Sequence, residues 1–391
     1  MDLNQEVSRR KFLQTSGAAL GGLVVAFHMP MMMKGAFAKE AMAPTAGIEP
    51  NAFVHIAPNG EITLIINKLE MGQGVNTSMA QLIAEELECD WAKIRSLSAP
   101  VAPVYNHTVY GMQMTGGSSA LASSWEQHRK VGATMRELLK AAAAEKWGVP
   151  VSEVSAKNGF VLHAKKGKLS YGELADAAAK LPAPKEVSLK KSSDFKLIGK
   201  SMKRVDALDK STGKAIFGMD VRVPGMLYAV VVWPTGPDAK MKTMNEKAAR
   251  DVPGVVDVVR FGDRVAVLGK NTYAAIAGRK ALEAQWEPKS ALTHDSLMAD
   301  FRKQADGKGL LAEEKGDAAA ALLRAKTKIV AEYEFPFLAH APMEPMNCTV
   351  NYDGLRAEVW SGHQMPTIDH ATATKALGLK PVLPTEMHQR R

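Results

Sequence analysis

Glu70-Met71-Gly72-Gln73-Gly74 lies between an apolar run, Ile62 to Ile66, and a helix-like stretch, Ser78 to Leu87, so its glycines fall on a strand-to-helix turn. Asn76 and Thr77 are the capping candidates for that helix. Two residues without side chains let a ligand approach the backbone, the first-turn amides offer unpaired donors, and Gln73 can both donate and accept. That combination suits a polar heterocycle or a phosphate. It also suits an ordinary glycine turn, and spacing alone leaves both readings open. Three histidines, His340, His363 and His370, invite a metal reading, but their irregular spacing on different elements favours satisfied or surface histidines, so no metal ligand is assigned. Glu344, after Pro342, reads equally as a buried structural carboxylate or an exposed loop residue.

These residues need a scaffold, and 391 residues with 46% hydrophobic composition suffice for two or three domains with real cores. The expected fold class is α+β. The pattern divides into a segment from 47 to 200, a second from 201 to 287, a polar connector from 288 to 325 and a last segment from 326 to 391. In the first, a long amphipathic helix from about Ser124 to Trp147 is closed by Gly148 and Pro150, a hairpin turns near Asn158-Gly159, and Ser170 with Glu173 forms a capping box. The second alternates strands (Leu227 to Trp233, Val255 to Arg260, Val265 to Gly269) with helices (Glu246 to Asp251, Thr272 to Gln285). Strands at Lys328 to Phe335, Asn347 to Tyr352 and Arg356 to Ser361 and a helix from about Thr367 to Leu377 complete the reading. The two cysteines, Cys89 and Cys348, make neither a CxxC pair nor a disulfide framework, and Cys89 reads as a helix-core residue. No iron-sulfur cluster or structural zinc site can be built from these two cysteines alone. The formal charge of +9 is spread along the chain, which speaks against nucleic-acid binding.

The wording of the first motif, Glu-Met-Gly-Gln-Gly followed by Thr77 and an apolar helix, resembles the molybdopterin-contacting segment of the large subunits of the xanthine dehydrogenase and aldehyde oxidase family. Thr115-Gly116-Gly117-Ser118-Ser119 resembles that family's second pterin and phosphate loop. Thr212 to Tyr228 resembles the start of its α/β hammerhead domain, while Phe337 to Pro345 and Ser361 to Pro366 resemble the entry to its second molybdopterin domain. The order of these landmarks is similar to that of the isoquinoline 1-oxidoreductase and membrane-bound aldehyde dehydrogenase branch. The resemblance implies hydroxylation of an aldehyde or N-heterocycle with water as the oxygen source. It implies molybdopterin, in its cytosine dinucleotide form, as cofactor, a small iron-sulfur subunit and a cytochrome c subunit as partners, and a small-molecule substrate. By position, Gly72, Gln73 and Gly74 would contact the pterin, and Thr115, Gly116, Gly117, Ser118 and Ser119 would hold its phosphate or appended nucleotide. Gln364 would stand beside the metal's oxygen ligand; the same resemblance places the general base far downstream, so Glu70 is not assigned that role.

Both termini carry further expectations. Ser8-Arg9-Arg10-Lys11-Phe12-Leu13 before the apolar stretch Ala18 to Phe27, with Ala36-Phe37-Ala38 as a cleavage site, reads as a twin-arginine export signal over residues 1–38. A periplasmic protein without a membrane span after cleavage follows, because the stretch is shorter than the ~20 residues a spanning helix needs. After Leu379 the text Val382 to Arg391 departs from the family pattern, whose glycine-rich loop, substrate residues and catalytic glutamate are expected beyond this point. Three readings follow: a fragment of a large subunit inactive alone, one half of a split enzyme, or a non-catalytic periplasmic binding or scaffold protein.

Overall fold

The computed structural model describes residues 23–26, 52–236, 239–287, 292–379 and 387–389. The expected signal peptide and cleavage site therefore lie largely outside the described residues. The chain divides into two compact units, one formed by residues 1–221 with 342–391 and the other by 222–341.

In the first unit, the apolar alternation of Ile62, Leu64 and Ile66 builds the third strand of a four-stranded sheet. The strands β1 (Leu23–Ala26), β2 (Ala52–Ile56), β3 (Ile62–Ile66) and β4 (Ile94–Ser98) lie in that spatial order, antiparallel except for the parallel β3/β4 pair. A parallel pair needs a crossover, and α1 (Val75–Leu87) supplies it. A second helix, α2 (Ala120–Trp147), ends at Gly148 in the left-handed region with φ 64°, as the Gly-Val-Pro stop signal requires. Met79, Ile83, Met135 and Leu139 from the two helices join Phe53, Ile56, Leu64 and Ile66 in one buried core.

The helices touch at Gly132, where an added Cβ would sit 2.3 Å from the carbonyl oxygen of Ile83. Helix propensity alone would make Gly132→Ala stabilising by ~1 kcal/mol. The contact reverses the sign: forcing α1 and α2 apart is expected to cost about 1–3 kcal/mol, read as a lower urea midpoint. A midpoint at or above wild type would mean that the helices can separate freely.

The hairpin strands β5 (Val154–Lys157), β6 (Phe160–His163) and β7 (Gly167–Ser170) lead into α3 (Tyr171–Ala178), where Ser170 and Glu173 form the expected capping box. A short helix, α4 (Ala207–Ser211), comes before the second unit. The chain re-enters the first unit as β13 (Cys348–Tyr352), β14 (Ala357–Ser361) and α9 (Pro366–Ala376), with β15 (Met387–Gln389) parallel to β14.

The second unit holds the antiparallel sheet β10-β11-β8 (Val255–Phe261, Arg264–Gly269, Tyr228–Val232) and the ribbon of β9 (Lys240–Thr243) and β12 (Gln285–Glu287). Helices α5 (Glu246–Arg250), α6 (Thr272–Ala281), α7 (His294–Ala305) and α8 (Ala318–Arg324) accompany them. Its core is small, centred on Val258, Val265, Val267, Ala249 and Leu282.

Four expectations are corrected here. Residues 328–335 form no strand: Ile329, Tyr333 and Phe335 share the parity of one strand face, yet they and Val330 stand exposed without a ladder partner among the described residues. The helix expected to reach Gln285 stops at Ala281, since Glu283 turns left-handed at φ 44° and Gln285 enters β12. Cys89 is buried, but it lies just beyond α1, whose end is set by left-handed Glu88. Asn76 and Thr77 sit inside α1 and neither caps it. No helix among the described residues is long and apolar enough to cross a membrane.

Candidate functional site

Glu70 caps α1 in their place. Its buried carboxylate accepts from the amides of Gly72 (2.9 Å), Gly74 (3.0 Å) and Asn76 (3.0 Å), and from the Arg204 guanidinium at 3.1 Å. Two of the amides expected to be unpaired at this helix start, those of Gly74 and Asn76, are thus taken by the chain's own anion, which places a negative charge where a phosphate was expected. Gln73 is similarly committed, accepting from the Met71 amide at 2.7 Å and donating to the Leu69 carbonyl at 2.8 Å. Gly72 (φ +106°) and Gly74 (φ +82°) need glycine for their backbone, and no atom lies within 4 Å of a Cβ built on either. The loop's backbone is open at these two glycines, between the exposed Met71 and Gln73.

The second glycine loop joins the first directly. Thr115 is buried and its hydroxyl accepts from the Leu69 amide at 2.8 Å, while Lys68 Nζ donates to the Met114 carbonyl at 3.0 Å. Gly117 and Ser118 are both left-handed, with φ 62° and 52°. Ser119 precedes α2 without making a side-chain cap, so the uncapped N-terminus is that of the 28-residue α2. The Val109 amide donates to His107 Nδ1 at 3.1 Å, which leaves the ring's other nitrogen, Nε2, to donate to Ser119 Oγ at 2.8 Å; Ser119 Oγ donates onward to the Gly116 carbonyl at 2.8 Å. Lys68, His107 and Arg204 are contributors that the sequence reading missed; Arg204 alone had a local hint, its spacing to Asp206, which it pairs at 3.2 Å.

Gln364, distant in sequence, arrives at the same place. Its carbonyl accepts from the Thr115 amide at 2.7 Å and its side-chain amide donates to the Thr115 carbonyl at 3.1 Å, while Thr367 Oγ1 accepts from the Gln113 amide at 2.9 Å. The structure therefore brings Gly72 to Gly74, Thr115 to Ser119 and Gln364 around one junction. Glu344 is a half-buried structural carboxylate that accepts from the Met219 amide at 2.9 Å and Asn347 Nδ2 at 3.0 Å. His340 is exposed in the second unit, and His363 and His370 are buried in the first. Among the described residues no three or more His, Cys, Asp or Glu converge as metal ligands. Ser361, His363 and Asp369 form a line that invites a hydrolase reading, but Ser361 Oγ is 2.9 Å from Nε2 and 3.1 Å from Nδ1. Near-equal distances put the hydroxyl at the ring edge between the nitrogens, off the axis that proton transfer needs.

Burial governs the electrostatics. Lys68 is pushed down to about 8, and His107 to about 4, by burial and then by the Lys68 charge; His128, fully buried against the Phe53 ring, falls to about 3 for the same reasons. A histidine whose folded pKa lies below its unfolded value contributes nothing unfavourable while neutral. Its burial costs stability as pH falls from about 6.5 toward the folded pKa. His128 alone is expected to remove up to about 2–3 kcal/mol between pH 7 and 4.5, at 1.36 kcal/mol per unit. Urea midpoints at the two pH values measure this, and His128→Gln should flatten the difference; an equal drop in the variant would assign it to other groups.

Two glycine loops and a glutamine are thus gathered over a capped and an uncapped helix end. The chain belongs to the xanthine dehydrogenase family of molybdopterin-binding proteins: a molybdopterin cofactor-binding domain profile matches residues 9–223, more than half the chain, and a second with the same description matches residues 302–382. It is 31% identical to the isoquinoline 1-oxidoreductase subunit beta of Brevundimonas diminuta over 96% of this chain and 54% of that one. It is 30% identical to a membrane-bound aldehyde dehydrogenase, designated pyrroloquinoline-quinone, of Gluconacetobacter polyoxogenes, over 95% of this chain and 49% of that one. The chain spans about half the length of these curated relatives. Among solved structures, quinoline 2-oxidoreductase from Pseudomonas putida 86 matches with a TM-score of 0.36 at 14% identity, over 49% of this chain and 29% of that one.

Proposed function

We propose that this chain is part of the large subunit of a periplasmic molybdenum hydroxylase that oxidises an aldehyde or an N-heterocycle. The observation that carries the reading is the junction itself: Leu69, Thr115 and Gln364 are tied by hydrogen bonds across up to 249 positions of sequence, so both glycine loops and the glutamine face one ligand. The residues fit molybdopterin. The open surface over Gly72 and Gly74 accepts a flat heterocycle against the backbone, and the uncapped start of α2 with Ser118 and Ser119 accepts its phosphate or appended cytidine nucleotide. When bound, molybdopterin supplies the redox centre that takes two electrons from the substrate carbon, water supplying the oxygen. Gln364 is pinned at the Thr115 carbonyl and orients the substrate-facing end of the ligand, while Glu70 and Arg204 hold the first loop rigid. Residues 201–287 form a hammerhead-like domain, the N-terminal segment directs twin-arginine export, and electrons leave to an iron-sulfur subunit and a cytochrome c subunit.

Co-production of the chain with the C-terminal half of the Brevundimonas relative and an iron-sulfur subunit tests this. Reduction of a dye by an aldehyde or by isoquinoline, lost in Gln364→Ala, is expected; an assembled, pterin-bearing complex that oxidises neither class would overturn it. A second reading, one half of a naturally split enzyme, is favoured by the exposed apolar run Ile329, Val330, Tyr333, Phe335 and Phe337, which is suited to pair with another chain. In the non-catalytic scaffold reading, the same complex would bind pterin or partner without turnover.

A further inference from the structure

Lys68 is only 2% exposed, yet it ion-pairs with no carboxylate among the described residues. One of its three N–H donors is used, on the Met114 carbonyl at 3.0 Å. Burying an ammonium in this way is costly. Holding a carbonyl does not require it, because Asn67, one residue earlier, does the same for the Tyr105 carbonyl with a neutral amide at 2.9 Å. The residues next to Lys68 and to Met114 in sequence, Asn67 and Gln113, each also keep a buried atom, Oδ1 and Nε2, without a partner. The charge lies close to the second loop, since its field reaches His107, whose ring bonds Ser119, and His128 on the buried face of α2.

We propose that Lys68 is a positioning residue for the anionic end of the cofactor, a buried positive charge under Met114 to Ser119 that makes this loop receptive to a phosphate or pyrophosphate group. The proposal rests on the cofactor reading above. It assigns the chemistry a division of labour. Amides and hydroxyls of the loop and of the α2 start contact the anion, and Lys68, from below, supplies the full charge that those dipoles lack. His107 and His128, the titratable groups facing it, are neutral near pH 7 and leave Lys68 as the source of positive potential. Arg204 and Glu70 neutralise each other at the first loop, which directs the anion to the second.

Titration calorimetry of the full chain with inorganic pyrophosphate at pH 7 tests this with three variants. Lys68→Gln keeps a donor for the Met114 carbonyl but loses the charge, Lys68→Met loses both, and Lys68→Arg keeps both. A charge role gives about tenfold or greater weakening for Gln and Met, with Arg close to wild type. A stapling role gives Gln equal to wild type, and that result would overturn the proposal. Should the variants fail to fold, the wild-type Lys68 Cε resonance decides: its titration near pH 8 should move up by about one unit with pyrophosphate, the same tenfold linkage, and an unmoved titration would overturn the proposal. Wild type that retains pterin but ignores pyrophosphate overturns the Lys68 role and leaves the cofactor reading standing. Wild type that retains neither overturns both.

Discussion

Glu86→Ala is expected to cost about 3–5 kcal/mol, the range for breaking a buried ion pair from one side. Glu86 is fully buried on α1, and its carboxylate accepts from Arg129 at 2.7 Å and from Arg136 at 3.3 Å on α2, and from the Lys190 amide at 3.1 Å. Removing it strands two largely buried guanidinium groups in the seam between the helices that carry both glycine loops. Beside it, Glu85 accepts from Lys190 and from the amides of Leu197 and Ile198; burial alone would raise its pKa, yet those bonds hold it below the usual carboxylate range. The two glutamates therefore clamp residues 190–198 onto α1. The check is urea unfolding at pH 7, with Glu86→Gln restoring part of the loss because its carbonyl still accepts. A loss under about 1 kcal/mol would mean that Arg129 and Arg136 find water in the variant.

The second large effect is local and falls on the first glycine loop. Glu70→Ala removes the side-chain acceptor for the amides of Gly72, Gly74 and Asn76 and one of the two carboxylate partners of Arg204. Loss of a cap and of buried hydrogen bonds of this kind amounts to about 2–3 kcal/mol. Hydrogen exchange across residues 69–80 should therefore accelerate by about 30- to 100-fold, while α3, closed by its own capping box, stays protected. Unchanged exchange would show that the loop holds its shape without Glu70. With the repelling Glu70 carboxylate gone, the freed amides would attract an incoming anion, so a shift of pyrophosphate binding from the second loop to the first is the accompanying change.

How much of this was legible in the sequence depends on the range of the interaction. Ser170 with Glu173 and Gly148 before Pro150 act within a few residues, and the structure reproduces them. The capping of α1 was missed although Glu70 is local, because a carboxylate reaching over two glycines to its own helix matches no standard box, and Asn76 and Thr77 looked sufficient. Lys68 follows a strand with no local sign of burial, and the carbonyl it bonds, that of Met114, is 46 positions away. The pairing of Gln364 with Thr115 spans 249 positions and no periodicity encodes it; only resemblance pointed to both. The strand expected at 328–335 has the right alternation, but a strand is a property of a pair, and among the described residues it has no partner.

The most direct measurement is pterin content. The chain, purified from a host that makes molybdopterin, is oxidised with acid iodine and its pterin fluorescence is counted per polypeptide, beside a Gly117→Val, Ser118→Pro double variant that closes the second loop. Near-stoichiometric pterin in the wild type and its loss in the folded variant is the expected result. A folded wild-type chain without pterin, or a variant that retains it in full, would contradict cofactor binding at this junction.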